Sequence, residues 1–205
     1  MLPQLLANSG IENVNVKLEY VSFARALSEL ENRKNTIALH FAKSPDREKK
    51  FKWLGPYYEI KLGLVGLSRH SKAYPNIKSI KDNYIAVVRG TLVEDILLDR
   101  GFPKNNMLLI SDPVSGLKML NAGRIDMLAH IPSVLRYLAK NELEMNESTL
   151  EEKFTLQTGH FYFALSQDFD DEFVLKLQTV LDEMLDNYDF ARLYTKSNLN
   201  NKSRS

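Results

Sequence analysis

Few residues of this chain could do covalent or acid–base chemistry. There is no cysteine among its 205 residues, which removes thiolate nucleophiles, disulfides and thiolate zinc sites together. His40, His130 and Glu59 are the candidate proton-transfer groups, and none comes with a paired carboxylate or metal-ligand spacing. No catalytic residue, metal or cofactor is expected. The chemistry on offer is recognition. Tyr84 to Val88 is an apolar, strand-sized run ending at Arg89-Gly90-Thr91, and a helical pattern follows with Leu92, Ile96 and Leu97 on one face. Such a strand–turn–helix junction suits a bound anionic group. Gly90 lets the backbone come close, Thr91 can cap the helix and donate a hydroxyl, and free N-terminal amides favour negative charge.

The elements that must position these residues read as an α/β pattern. Val14, Val16, Leu18 and Tyr20 alternate with polar residues, the period of a half-buried strand. Ser22 can cap a helix carrying Phe23, Ala26, Leu27 and Leu30 at helical spacing, and Thr36 to Phe41 reads as a short buried strand. A strand–helix–strand unit argues for parallel pairing. The same grammar recurs further on: shifted by 90 positions, Leu27, Leu30, Ala38 and His40 fall on Leu117, Leu120, Leu128 and His130. Two similar α/β halves would explain this, and so would two ordinary helix–turn–strand units. Phe161 to Leu165 reads as a strand, Asp170 to Leu185 as an amphipathic helix, and 197–205 as a polar tail.

Composition narrows the function classes. The 27 basic and 26 acidic residues nearly cancel, so there is no electrostatic case for nucleic acid. The best uncharged apolar run, Leu62 to Ser68, is strand-sized and far short of a membrane span. The opening Met1-Leu2-Pro3-Gln4 lacks the features of a secretory signal.

Three stretches together resemble the bacterial extracellular solute-binding family 3, the periplasmic substrate-binding proteins of ABC transporters. Asp46-Arg47-Glu48 followed by Phe51, Trp53 and Gly55-Pro56-Tyr57-Tyr58 is similar to the family's "eR…F…PY"; Val87-Val88-Arg89-Gly90-Thr91 to its "VxxGT"; and Leu120-Asn121-Ala122-Gly123-Arg124-Ile125-Asp126 to its "L…GRID". The resemblance runs from about Val14 to Tyr194. It implies a periplasmic binding protein type II-like fold, two α/β lobes joined by a hinge with a ligand cleft between them. Lobe 1 would be 1–58 with 159–196, and lobe 2 would be 59–158. His40 and His130 would stand at strand ends, where ligands of open sheets bind.

The resemblance also implies the site. Arg47 matches the arginine that grips a ligand carboxylate with its fork of donors, unless it is a surface arginine of the charged run Asp46 to Lys50. Gly90 and Thr91 would hold the same carboxylate through an amide and a hydroxyl, or Thr91 is a plain helix cap. Arg89 adds a second cation or faces solvent. Trp53, Tyr57 and Tyr58 wall the ligand or belong to the core, and His130 is a ligand contact or a structural histidine. The expected function is binding of a small polar, carboxylate-bearing, amino-acid-like solute for ABC-type transport in the periplasm, with a transporter membrane subunit as partner. A ligand sensor, a degenerate interaction module and a cyclic-acid dehydratase-like enzyme are the alternatives.

Two departures qualify this. Where amino-acid binders place an aspartate for the ligand ammonium, this chain reads Ala129-His130-Ile131-Pro132. The family's first strand has no counterpart before Leu2 to Gly10, and a dimer in which another chain supplies that strand is one way to complete the sheet.

Overall fold

The computed structural model describes residues 2–11, 14–70, 72 and 74–187. Seven helices are present among the described residues: α1 (Leu2–Asn8), α2 (Phe23–Asn32), α3 (Pro45–Glu48), α4 (Leu92–Asp99), α5 (Pro113–Asn121), α6 (Pro132–Glu142) and α7 (Asp171–Asn187). The strands are β1 (Ile37–Phe41), β2 (Lys52–Leu67), β3 (Ile85–Val88), β4 (Met107–Ile110), β5 (Met127–His130) and β6 (Leu150–Leu165). Hydrogen bonding links the strands in the order β1-β6-β2-β5-β3-β4. The chain divides into two compact units, the first made of Met1–Glu19, Arg33–Tyr58 and His160–Ser205, the second of Tyr20–Asn32 and Glu59–Gly159. The long strands β2 and β6 each begin in one unit and end in the other.

In the first unit β1 runs antiparallel to β6, pairing Ile37 with Leu165 and Ala38 with Ala164 before the register shifts between Ala38 and Phe41. His40 sits at that shift with φ 61°, a left-handed backbone rarely taken by a residue with a side chain. Its N–H leaves the ladder and donates to the Tyr57 hydroxyl at 2.8 Å, so the irregularity leaves no orphan donor. The core of this unit packs Leu5, Leu54, Phe163, Leu165, Leu177 and Leu181. The apolar face of α7 and the short α1 meet there, and each fully buried leucine contributes about 1.5–3 kcal/mol.

The second unit holds the parallel part. β3 pairs with β4 in the register Ile85 to Met107 and with β5 in the register Ile85 to Met127, while β5 runs antiparallel to β2, with Gly63 opposite His130. All four residues of β3 are buried, which is why it reads as a continuous apolar run rather than an alternation. Leu117 and Leu120 of α5 and Leu135 of α6 close the core over Leu128. Asp112 starts α5 as its N-cap, its carboxylate accepting from the Ser115 N–H at 2.8 Å, with Pro113 in the first turn. Ser22 accepts from the Arg25 N–H at 3.4 Å at the start of α2.

One sequence expectation fails. Val14 to Tyr20 is not a strand: the segment has no regular structure, and Val14, Val16, Leu18 and Tyr20 are 46%, 44%, 59% and 87% exposed. Alternation marks residues that could line a buried face, but a strand also needs a neighbour for its backbone. With that strand absent, the parallel strand–helix–strand unit expected at the front is absent too, and β1 instead pairs antiparallel with β6. The polar tail expected over 197–205 lies outside the described residues. No helix among the described residues is long and apolar enough to cross a membrane.

Candidate ligand-binding site

Arg47 belongs to α3, a single turn started by Pro45, whose fixed φ suits a first helical position. The Arg47 N–H donates to the Ser44 carbonyl at 3.0 Å. Although it lies within the charged run Asp46 to Lys50, Arg47 is only 7% exposed. A charged run on a short helix reads as solvated, and the structure turns this one member inward. Its guanidinium therefore sits in a desolvated place where a carboxylate partner counts for most.

His40 and Tyr58 lie in the same unit. The His40 imidazole stands edge-on to Tyr57 and to Phe161, with ring centroids 6.0 and 5.3 Å away. The residue is exposed overall, yet desolvation by these rings lowers its pKa from the ordinary histidine value. Tyr58 is half-buried and packs against the core of the unit, and Tyr57 is buried within that core. Trp53 donates its indole N–H to the Glu48 carbonyl at 3.1 Å, across the end of α3.

In the second unit the junction between β3 and α4 is as the sequence reads, but its polar groups are already engaged. Gly90 takes φ 76°, a conformation that glycine adopts without strain, and the nearest neighbour of an added Cβ would be a ring carbon of Phe23 at 3.8 Å. The Gly90 N–H donates to the Glu94 carboxylate at 2.6 Å. Thr91 is the N-cap residue of α4 but makes no side-chain cap bond; its hydroxyl instead donates to the Val88 carbonyl at 2.8 Å. Glu94 thus reaches back to the residue before the N-cap. Thr91-Leu92-Val93-Glu94 has the spacing of a capping box, but its two side chains bond outside the box, the Thr91 hydroxyl to the Val88 carbonyl and the Glu94 carboxylate to the Gly90 N–H. Arg89 is exposed.

His130 ends β5. Burial pushes its pKa down to about 4, against a smaller upward pull from a hydrogen bond with the Ile131 backbone. Its Nδ1 is buried with no hydrogen-bond partner. The imidazole is neutral near pH 7 and offers one polar nitrogen that nothing among the described residues satisfies. The structure thus places Arg47, His40 and Tyr58 in the first unit and Arg89, Gly90, Thr91 and His130 in the second. Within the first unit it draws His40 towards the Tyr57–Phe161 ring pair, while in the second it ties Gly90 to Glu94. Among the described residues no group of three or more histidine and acidic side chains could hold a metal ion.

No protein-family model matches the sequence, and no curated protein does either. Solved structures do match. A histidine kinase sensor domain with similarity to periplasmic binding proteins aligns at a TM-score of 0.79 and 15% identity, over 95% of this chain and 82% of that one. The chain has the periplasmic-binding-protein fold. An amino acid ABC transporter substrate-binding protein from Streptococcus pneumoniae, bound to L-arginine, shares this fold at a TM-score of 0.74 and 21% identity, over 91% of this chain and 77% of that one. The ancestral amino acid-binding protein AncCDT-1, a precursor of cyclohexadienyl dehydratase, does so at 0.76 and 19%, over 95% and 81%. At these identities the likeness is one of fold, the α/β class that the sequence motifs implied.

Proposed function

We propose that this chain binds a small polar, carboxylate-bearing solute of amino-acid type and catalyses no reaction. The observation that carries this reading is Arg47, an arginine 7% exposed on a one-turn helix, in a chain whose fold is that of amino-acid-binding proteins. Its planar fork suits two parallel hydrogen bonds to a carboxylate. Gly90 and Thr91 contribute a second set of donors once Glu94 gives up the Gly90 amide. Tyr58 and His40 serve as aromatic contacts, Arg89 as a further cation, and His130 as a neutral polar contact. The binding lobes are 1–58 with 159–196, and 59–158, with Tyr20–Asn32 the exception, since that stretch clusters with the second unit. The setting is the periplasm or cell exterior, with the membrane subunit of an ABC transporter as partner.

Ligand sensing is the second reading, favoured by the likeness to the histidine kinase sensor domain. An enzyme of dehydratase type is disfavoured by His130, because an imidazole with a pKa of about 4 is a poor general acid at neutral pH. Thermal unfolding against amino acids, dicarboxylates, polyamines and aromatic acids tests the proposal. A bound solute at about 100 times its dissociation constant adds roughly 2.7 kcal/mol, or on the order of 5–10 °C at this size. A protein that no class stabilises would not be a solute binder.

A further inference from the structure

We infer that segment 14–20 is a docking surface for a second copy of this chain, the two segments pairing as antiparallel strands centred on Leu18. The segment runs without a turn or bend, and all seven of its residues are exposed. Lys17 Nζ and Glu19 Oε1 meet at 2.7 Å, which puts both on one side of the backbone, as residues two apart are in a strand and are not in a helix. Among the described residues no backbone hydrogen bond is made by Val14, Asn15, Val16, Lys17, Leu18 or Tyr20.

A strand in this state presents open N–H and C=O groups beside an apolar row, the combination that draws in another strand. Val14, Val16, Leu18 and Tyr20 form that row, 44% to 87% exposed. Their β-branched and aromatic members suit a pleated surface. Proline, which blunts sheet edges, is absent from the segment, and its one lysine is balanced by its one glutamate.

The residues of the segment select its occupant, because they complement themselves in one register. Antiparallel pairing about Leu18 sets Leu18 opposite Leu18, Val16 opposite Tyr20 and Lys17 opposite Glu19 of the second copy. The two-fold axis makes each unlike pair twice, and opposite charges and aromatic–β-branched pairs both favour a ladder. Centring on Lys17 or on Glu19 opposes like charges, and a slip of one residue sets apolar side chains against polar ones. Parallel pairing in register sets Lys17 beside Lys17 and Glu19 beside Glu19. A ribbon this short falls well under a standard protein interface, so the dimer is a weak one, with a Kd on the order of 10–100 µM.

The test is sedimentation equilibrium of the whole chain from about 10 µM to about 1 mM, a range that brackets such a Kd, joined to amide hydrogen exchange at both ends of it. Wild type is expected to pass from monomer to dimer, with exchange slowed at every second amide of segment 14–20 as the dimer forms. Lys17→Glu and Glu19→Lys each set like charges opposite one another twice and should each weaken the dimer about 10-fold or more. The double variant, Lys17→Glu with Glu19→Lys, restores both unlike pairs and should return to within about 3-fold of wild type. Both positions lie on the exposed segment, so these variants fold as wild type does. The proposal is overturned by a chain that stays monomeric throughout, and by a dimer that leaves these amides unprotected, which would be paired through another face. It is equally overturned if the single reversals dimerise as wild type, or if the double variant is as weak as the singles, which would assign the segment a different register or a different partner.

Discussion

The Gly90 N–H and the Glu94 carboxylate meet at 2.6 Å, so the amide that the sequence reserves for a ligand carboxylate is held by a carboxylate of the protein's own helix. Glu94→Ala frees that amide. It should lower stability by about 1 kcal/mol, the usual net size of one hydrogen bond, or roughly 2–4 °C in Tm at this chain length. It should also tighten the binding of a carboxylate solute several-fold, because a competitor is gone. Weaker binding in Glu94→Ala, measured by calorimetry, would show that the carboxylate helps the ligand rather than excluding it.

His130 makes stability depend on acid. Its folded pKa is about 4, against about 6.5 for a free histidine. Between these values the unfolded chain holds more protons than the folded one, so stability falls as pH drops through that window and is unaffected by this group above it. The full effect is on the order of 3 kcal/mol. Unfolding of the His130→Gln variant should be flatter between pH 6.5 and 4 than that of wild type. Parallel acid limbs would mean that the buried imidazole does not govern this slope.

Asp112 is the one side-chain cap of α5. Hydrogen bonds from the Ser115 backbone and side chain lower its pKa from the ordinary carboxylate value, so its contribution is present at neutral pH and fades as pH falls through the carboxylate range. Asp112→Ala should cost about 1 kcal/mol, and Asp112→Ser, which can still accept from the helix, much less. Equal losses in chemical denaturation would remove the cap as the cause.

Leu18 and Tyr20 are 59% and 87% exposed, so Leu18→Ala and Tyr20→Ala should each change stability by no more than about 0.5 kcal/mol. Were this segment the buried strand its alternation suggests, each would cost about 2–5 kcal/mol.

Those two residues also show where sequence reading stopped. Period and propensity located α2, β1, β3, α4 and α7, because each has an apolar face that its own unit buries. The same alternation misled at Val14 to Tyr20, where the deciding matter is a partner strand and not the residues themselves. β2 and β6 are 16 residues each, yet only the apolar end of each reads as a strand. The remainder of β6, from Leu150 to His160, mixes charged and apolar residues without a clean period because it is largely half-exposed. The Gly90 turn was legible from its glycine and the strand before it, whereas the burial of Arg47 was not, since the tertiary setting of α3 draws in one residue of a charged run. The unmet nitrogen of His130 depends on which atoms surround it, which no local pattern records.

Arg47 carries the central claim. The solute class selected by thermal unfolding should be titrated calorimetrically into wild type and Arg47→Ala. Two charge-assisted hydrogen bonds at about 1.5–3 kcal/mol each predict a loss of roughly 100-fold or more in affinity in a variant that remains folded. Equal affinity in the two proteins would contradict the account, and so would a wild type into which no carboxylate-bearing solute binds.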